Sequence, residues 1–287
     1  MPATWFAGPA PDRQWSGLVM RRNPLLPCRF KTAPPLIRFP PTNRPPDSVT
    51  RMSLTAAKVK KRLKEFTNPE KAAFFPRFFK AGKGEYAEGD RFLGVTVPHQ
   101  RKVAREFKQL SIEELKKLLH DPFHECRMTS LLILVLQFEK GDEGTRRNHY
   151  HFFLRHIRQV NHWDLVDASA HKIVGAYLEE RPRKKLYQLA SSGHLWSQRV
   201  AIVSTYWFLR KHDFADTLAI ADRFLEHEHD LIHKAVGWML RELGNRNETM
   251  LVEFLGTRYR RMPRTMLRYA IEKFSPSKRE SYLRGNV

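Results

Sequence analysis

The stretch N-H-W-D-L-V-D-A-S-A-H-K-I-V-G, Asn161 to Gly175, sets an indole and two carboxylates into an otherwise apolar run. Trp163 and Asp167 are four residues apart, so a helix places them on one face, while Asp164 points elsewhere. An acid in a first turn is accounted for by the helix dipole, which covers Asp164. Asp167 lies between Val166 and Ala168 and ahead of Ile173 and Val174, a setting that calls for burial. A buried carboxylate must be paired or used. Two readings stay open on spacing alone: a structural salt bridge, or a fixed negative charge that acts on a bound ligand.

Two more stretches could contribute to such a site. In L-I-H-K-A-V-G-W-M-L-R-E, Leu231 to Glu242, Trp238 and Arg241 are three apart and share a helix face. A Trp on an apolar helix fills core by default, and Gly237 beside it allows close approach of another helix or of a ligand. In L-W-S-Q-R-V-A-I-V, Leu195 to Val203, Arg199 is flanked by apolar residues, which implies a side chain held in place.

The elements that must position these residues read as helices. Leu54, Val59, Leu63 and Phe66 line one helical face, and a second helix follows Asn68-Pro69, with Pro in its first turn. Its phenylalanines, Phe74, Phe75, Phe78 and Phe79, read as core rather than as a base-stacking platform. A Gly-rich loop, Gly82 to Asp90, leads to Phe92-Leu93-Gly94-Val95. Ser111-Ile112-Glu113-Glu114 has the form of a capping box. The apolar cluster Leu131 to Leu136 reads as a buried helix. Beyond it, helical segments alternate with turns near Gly141-Asp142, Arg181-Pro182, Gly193, Asp213, Asp230, Gly244 and Met262-Pro263. No strand is expected. Helical pairs recur every ~35 to 45 residues, the period of a helical solenoid with a long concave face.

Residues 1–51 differ from the rest. They hold eleven of the eighteen prolines and eight Arg or Lys against two Asp. They read as a Pro/Arg-rich, disordered leader ahead of a domain over 52–287. Neither Cys28 nor Cys126 has a partner at metal-binding or disulfide spacing, which fits a reducing, cytoplasmic setting. No run reaches the ~18 apolar residues of a membrane span. Lys plus Arg number 51 against 30 Asp plus Glu, a net charge of +21. That excess concerns partners, not fold. It suits nucleic acid, bound by counterion release without a sequence code, an anionic membrane surface, or an acidic protein.

His227-Glu228-His229-Asp230 has no second cluster at ligand spacing, so no metal is expected there. The Gly82–Gly89 loop lacks the phosphate-cradling pattern.

Taken together and in order, G-K-G-E-Y-A-E-G-D-R-F-L-G-V, N-H-W-D-L-V-D, L-W-S-Q-R-V-A-I-V-S-T, K-A-V-G-W-M-L-R-E-L-G and M-P-R-T-M-L-R-Y-A-I-E-K-F-S resemble the AlkD-type DNA alkylation repair family, over about 52–283. The resemblance implies an all-α, HEAT-like helical-repeat solenoid with a basic concave face. It implies a glycosylase that removes N3- or N7-alkylated purines from double-stranded DNA, without metal or cofactor. Matched by motif, the catalytic carboxylate falls on Asp167 and the flanking tryptophans on Trp163 and Trp238. The DNA-contacting arginines fall on Arg199 and Arg241. Lys172, Lys234, Arg210, Lys211, Arg264 and Arg268 are candidates for a phosphate track. Such a solenoid can act as a monomer, associated with the nucleoid through DNA. The rival expectation is a non-catalytic helical-repeat module that binds nucleic acid or an acidic protein.

Overall fold

The computed structural model describes residues 54–287, and over them the chain is all-helical. The expected leader, 1–51, and Cys28 within it lie outside the described residues. Among those described there is no strand, only an isolated bridge between Arg91 and Phe123.

Among the described residues fifteen α-helices follow one another: α1 (Ala56–Lys64), α2 (Pro69–Phe78), α3 (Val97–Glu106), α4 (Ile112–Leu119), α5 (His124–Lys140), α6 (Glu143–Arg155), α7 (Trp163–Ala170), α8 (Lys184–Ala190), α9 (Leu195–Ser204), α10 (Tyr206–Leu209), α11 (Ala215–Arg223), α12 (Asp230–Gly244), α13 (Glu248–Arg258), α14 (Arg264–Ala270) and α15 (Pro276–Arg284). Their starts follow from capping chemistry. Thr55, Asn68, Ser111, Asp142 and Asn247 each accept a hydrogen bond from a backbone N–H of the first turn. The capping box at Ser111 is only half formed. Ser111 accepts from Glu114 N–H, but the Glu114 carboxylate reaches instead to the Ala56 N–H, 2.7 Å away, and ties α4 to the start of α1.

The helices pack in sequence. α5 lies on α7, α7 on α9, α9 on α12 and α12 on α14, while α4, α6, α8 and α13 each pack on a member of that series or its continuation. Within the apolar cluster of α5, Leu131, Ile133 and Leu134 are fully enclosed and Leu132 and Leu136 partly buried. Close packing requires glycine at two points of the series. A Cβ on Gly237 of α12 would lie 2.5 Å from the Met266 carbonyl oxygen of α14. One on Gly175 would lie 2.3 Å from the Ser204 carbonyl oxygen of α9. The close approach at Gly237 is therefore that of a helix.

α7 does not end cleanly. It continues as a π-helical turn, His171–Gly175. Such turns insert a residue into the helical ladder and recur at functional sites.

The Phe-rich run of α2 departs from expectation. α2 has no fully buried residue. Phe75 and Phe79 are half-buried and pack on Phe92, with ring centroids 6.0 and 5.3 Å apart. Phe74 and Phe78 stand 55% and 41% exposed. Four aromatics at positions i, i+1, i+4 and i+5 form two stripes on a helix; the inner one packs on the protein, and the outer one touches it only where Phe78 meets Phe79 and Trp163.

Candidate active site

α7 carries Trp163, Asp167 and, in the π-helical turn that follows, His171, each four residues from the last. Asp167 is 6% exposed and Arg199 5%. Arg199 of α9 donates to the Asp167 carboxylate twice, from Nε to Oδ1 at 3.0 Å and from Nη2 to Oδ2 at 2.7 Å. Its Nη1 donates to the Leu231 carbonyl oxygen in the first turn of α12. One guanidinium thus joins three successive helices of the series. Burial pushes the Asp167 carboxyl above its ordinary range, and Arg199 offsets this only in part. The family resemblance implies a DNA contact for Arg199. The structure engages it with an acid and a carbonyl of its own chain, since apolar neighbours on α9 draw it inward.

Asp164 was expected to do no more than complement the helix dipole. It is instead a buried hub. Its Oδ2 lies 2.8 Å from His124 Nε2 and its Oδ1 2.6 Å from His162 Nδ1. His124 Nδ1 faces Asp90, 3.3 Å away, which Arg127 also contacts. His162 Nε2 faces the Phe79 carbonyl oxygen at 3.2 Å. Burial alone would push the His124 imidazole down. The carboxylates, Asp164 foremost, outweigh burial and hold it at about 9. In return His124 and His162 hold the Asp164 carboxyl far below the usual range, against its burial. The relay fixes the first turn of α7 to α5 and to the loop after α2.

His124, His162 and Asp164 bring their donor atoms within 4.8 Å of one another. The 2.6 and 2.8 Å separations are those of hydrogen bonds, and each outer ring nitrogen faces a further oxygen. The group fits a proton-filled relay better than a metal. His227, His229 and Asp230 are engaged in the turn before α12. His229 Nδ1 accepts from the Leu231 N–H, His227 Nδ1 accepts from the His229 N–H, and Asp230 pairs with Lys234.

The aromatic surroundings have two halves. Trp163, half-buried, is met by Phe78 and Phe79 at 6.2 and 5.8 Å. Tyr86 of the Gly-rich loop stands beside it. Burial pushes the Tyr86 phenol up, against the pull of the Trp163 indole N–H and of Lys234. Next to Tyr86 opens a cleft lined by Lys80, Gly84, Glu85 and His229. On the other half, Trp238 of α12 is half-buried and tilted on Tyr206 at 5.9 Å, and Tyr206 stands edge-on to His171 at 5.4 Å. A ring contact therefore runs from the π-helical turn after Asp167 to Trp238. Burial pushes His171 down to about 3, so its imidazole is neutral, and its Nδ1 has no partner.

The remaining expected cations are placed unevenly. Arg241 is held by Glu272 and Glu242, with its side chain 10% exposed. Lys172 pairs loosely with Glu139 at 3.9 Å, Lys211 with Glu179 at 3.2 Å, and Lys234 with Asp230 at 2.6 Å. All three lysines stay on the surface, where such pairs exchange readily with an incoming anion. Arg210 is exposed and lies over Trp207. Arg264 donates to the Leu283 carbonyl, and Arg268 is exposed.

Tyr86, Asp90, His124 and His162 escaped the sequence reading as site residues. The one local signal was His124-Glu125 opening an apolar helix. Glu125 accepts from the backbone N–H groups of Leu93, Gly94 and Val95. It thereby fixes the segment that carries Phe92.

Among known proteins, the profile of the DNA alkylation repair enzyme family matches residues 59–274. A solved structure described as a predicted DNA alkylation repair enzyme from Enterococcus faecalis superposes with a TM-score of 0.57 at 17% identity. The match covers 73% of this chain and 97% of that one. At this identity the likeness concerns the fold. No curated protein matches the sequence.

Proposed function

This chain belongs to the DNA alkylation repair enzyme family, and from that premise we propose that it is a DNA glycosylase acting on N3- or N7-alkylated purines in double-stranded DNA. The observation that carries the proposal is the Asp167 carboxylate, oriented by Arg199 and one helical turn from Trp163.

Alkylation at N7 or N3 makes the purine cationic and already a good leaving group. The enzyme then needs little general-acid help. Breaking the N-glycosidic bond builds positive charge on the deoxyribose, as in glycoside hydrolysis. A carboxylate fixed near C1′ stabilises that charge and orients the attacking water, and preorganised charge is often the largest catalytic contribution. Arg199 grips both carboxylate oxygens, so Asp167 has little freedom to reorganise. Trp163 and Trp238 offer faces that attract a cation by about 0.5–2 kcal/mol each, favouring the lesion over a neutral purine.

The sequential packing of helices supports a HEAT-like solenoid over 52–287, whose concave face takes the duplex. Surface Lys172, Lys234, Arg210 and Lys211 are proposed to meet phosphates. Arg241 joins them only by releasing Glu272 or Glu242. Arg199 acts on DNA through Asp167 rather than by direct phosphate contact. The proposed setting is cytoplasmic, on nucleoid DNA. Among the described residues no helix is long and apolar enough to cross a membrane.

The Asp167–Arg199 pair also favours a second reading, a helical-repeat module that binds nucleic acid without chemistry. In that reading the pair is only a strut between α7, α9 and α12. One experiment separates the two. The protein is incubated with duplex DNA carrying 7-methylguanine or 3-methyladenine, and free base is measured. Release above the spontaneous rate supports the glycosylase; binding without release supports the module.

A further inference from the structure

Most large apolar side chains left exposed among the described residues lie near the ends of the described chain or stand alone. Leu54 and Val287 are of the first kind and Tyr269 of the second. Phe74 and Phe78 are different. They sit one turn apart on α2 with ring centroids 5.9 Å apart, tilted by 31°, and face outward together. Water does not hold such a pair in place; the helix does. The inner stripe, Phe75 and Phe79, anchors α2 on Phe92, His124 and His162. Asn68 caps its start, and Pro69 pre-sets its first turn. Beneath it, Gly94 adopts φ +78°, and a Cβ there would meet the Asn68 carbonyl oxygen at 2.1 Å. The backbone of α2 is thus seated closely, and its outer face is presented rather than loose.

Two features identify what that face meets. The first is continuity with the site: Phe78 reaches Trp163 edge-on at 6.2 Å, so the exposed pair extends the aromatic wall beside Asp167 outward along α2. The second is charge. Arg77 lies between the two phenylalanines in sequence and Lys71 precedes them, both exposed, against Glu70, the one acid of the helix; exposed Lys80 and Lys83 follow in the loop, where Lys80 pairs with Glu85 at 3.5 Å. An exposed aromatic pair with cations along the same stretch of chain suits a flat apolar group attached to an anionic chain. That description fits an unstacked nucleobase, which binds an aromatic face whatever its identity. Apolar side chains also part base steps in bent duplexes.

We propose that Phe74 and Phe78 form an auxiliary stacking platform for a nucleobase next to, or opposite, the nucleotide held at Trp163 and Asp167. The inference rests on the reading of this chain as a DNA-acting protein, but not on its chemistry. The platform makes no contact with reacting atoms. Its role is to hold DNA that has opened locally, so it discriminates a disrupted duplex from an intact one.

The test is a binding measurement on the full chain. Its probes are an intact duplex and a duplex with one abasic site, which frees the opposite base. Wild type should prefer the abasic duplex. Phe74→Ala/Phe78→Ala should lose that preference by about fivefold or more, within the range of aromatic–base stacking, at an unchanged salt slope because no phosphate contact is removed. Phe74→Tyr/Phe78→Tyr should keep it. Phe74→Leu/Phe78→Leu, apolar but without a ring, should not. Phe74 is the more exposed of the two, whereas Phe78 also touches Phe79 and Trp163, so circular dichroism and melting temperature are measured for each variant and affinities are compared among those that fold as wild type does. Equal affinities of the alanine variant and wild type overturn the inference, as does full rescue by leucine. So do failure of wild type to bind either duplex, or loss in the alanine variant of binding to anionic vesicles or of self-association instead. Base release is scored separately: a protein that stacks but releases nothing leaves the platform standing and removes the glycosylase.

Discussion

Asp167 and Arg199 meet edge to edge, the guanidinium donating through Nε and Nη2 to the two carboxylate oxygens at 3.0 and 2.7 Å. They are 32 residues apart in sequence and sit on different helices, yet each is almost wholly enclosed. An acid so held can be a strut or a tool. A strut needs its partner and its burial. A tool needs its charge, and it must keep one edge toward the ligand.

Replacing Asp167 with Asn separates the two uses. Asn keeps the shape and removes the charge. The expected result is DNA affinity near wild type and release of 7-methylguanine lowered about a hundredfold or more, the scale set by losing one oriented electrostatic group. The acid limb of the wild-type rate should also lie above that of an ordinary carboxylate, because burial raises the Asp167 carboxyl and its protonated form is inactive. Base release unchanged by the Asn variant removes Asp167 from catalysis.

Arg199→Ala should act first on stability. It leaves a buried carboxylate without its cation, a change that costs on the order of 3–5 kcal/mol in comparable pairs. The salt dependence of DNA binding should not change, because the guanidinium contacts Asp167 and the Leu231 carbonyl in this structure. Thermal melting together with a salt titration of affinity checks both expectations. A flattened salt slope in a normally folded variant would show that Arg199 turns out to phosphate when DNA arrives.

Part of this was legible in the sequence, and the division has a physical cause. Local periodicity carried the helices: Trp163 and Asp167 share a face because 3.6 residues make a turn, and Leu131, Ile133, Leu134 and Val135 are buried because nothing polar interrupts their run. Pairing across the fold is not periodic. Asp164 looked like a first-turn acid because its partner His124 lies 40 residues upstream. Asp167 and Arg199 were each visible as held side chains, but no spacing rule says that they hold one another. The outer phenylalanines of α2 were misplaced for the opposite reason. Composition argues that Phe is buried, and only the packed neighbours of a helix decide how far each of its stripes is covered.

Gly237→Ala tests the close seating of α12 on α14. A Cβ there would lie 2.5 Å from both the Met266 carbonyl oxygen and the Tyr269 Cβ. Backbone cannot yield as a flexible side-chain end can, so the helices must part. A destabilisation of about 1–3 kcal/mol is expected, the usual range for overpacking. Because Trp238 is the next residue, base release should fall further than stability alone requires. An alanine variant that melts with wild type shows that the two helices have room.

The relay beneath α7 should make stability depend on pH in a particular window. The groups facing His124 are Asp90 and Asp164, with Arg127 opposing and His162 sharing Asp164. The folded protein favours the imidazolium, with its pKa raised from 6.5 to about 9. The unfolded chain therefore binds fewer protons through this pH range. The stabilisation is fully present below pH 6.5 and is lost as pH rises through about 9. Its size is on the order of 3 kcal/mol. Melting temperature should fall across this window in wild type. His124→Gln should melt lower at pH 6 and show a shallower fall, because a neutral amide has no proton to lose. All other titratable groups are common to both proteins, so the comparison isolates His124. Parallel pH profiles in the two proteins would mean that the imidazole is already neutral in the fold and that Asp164 is held by His162 alone.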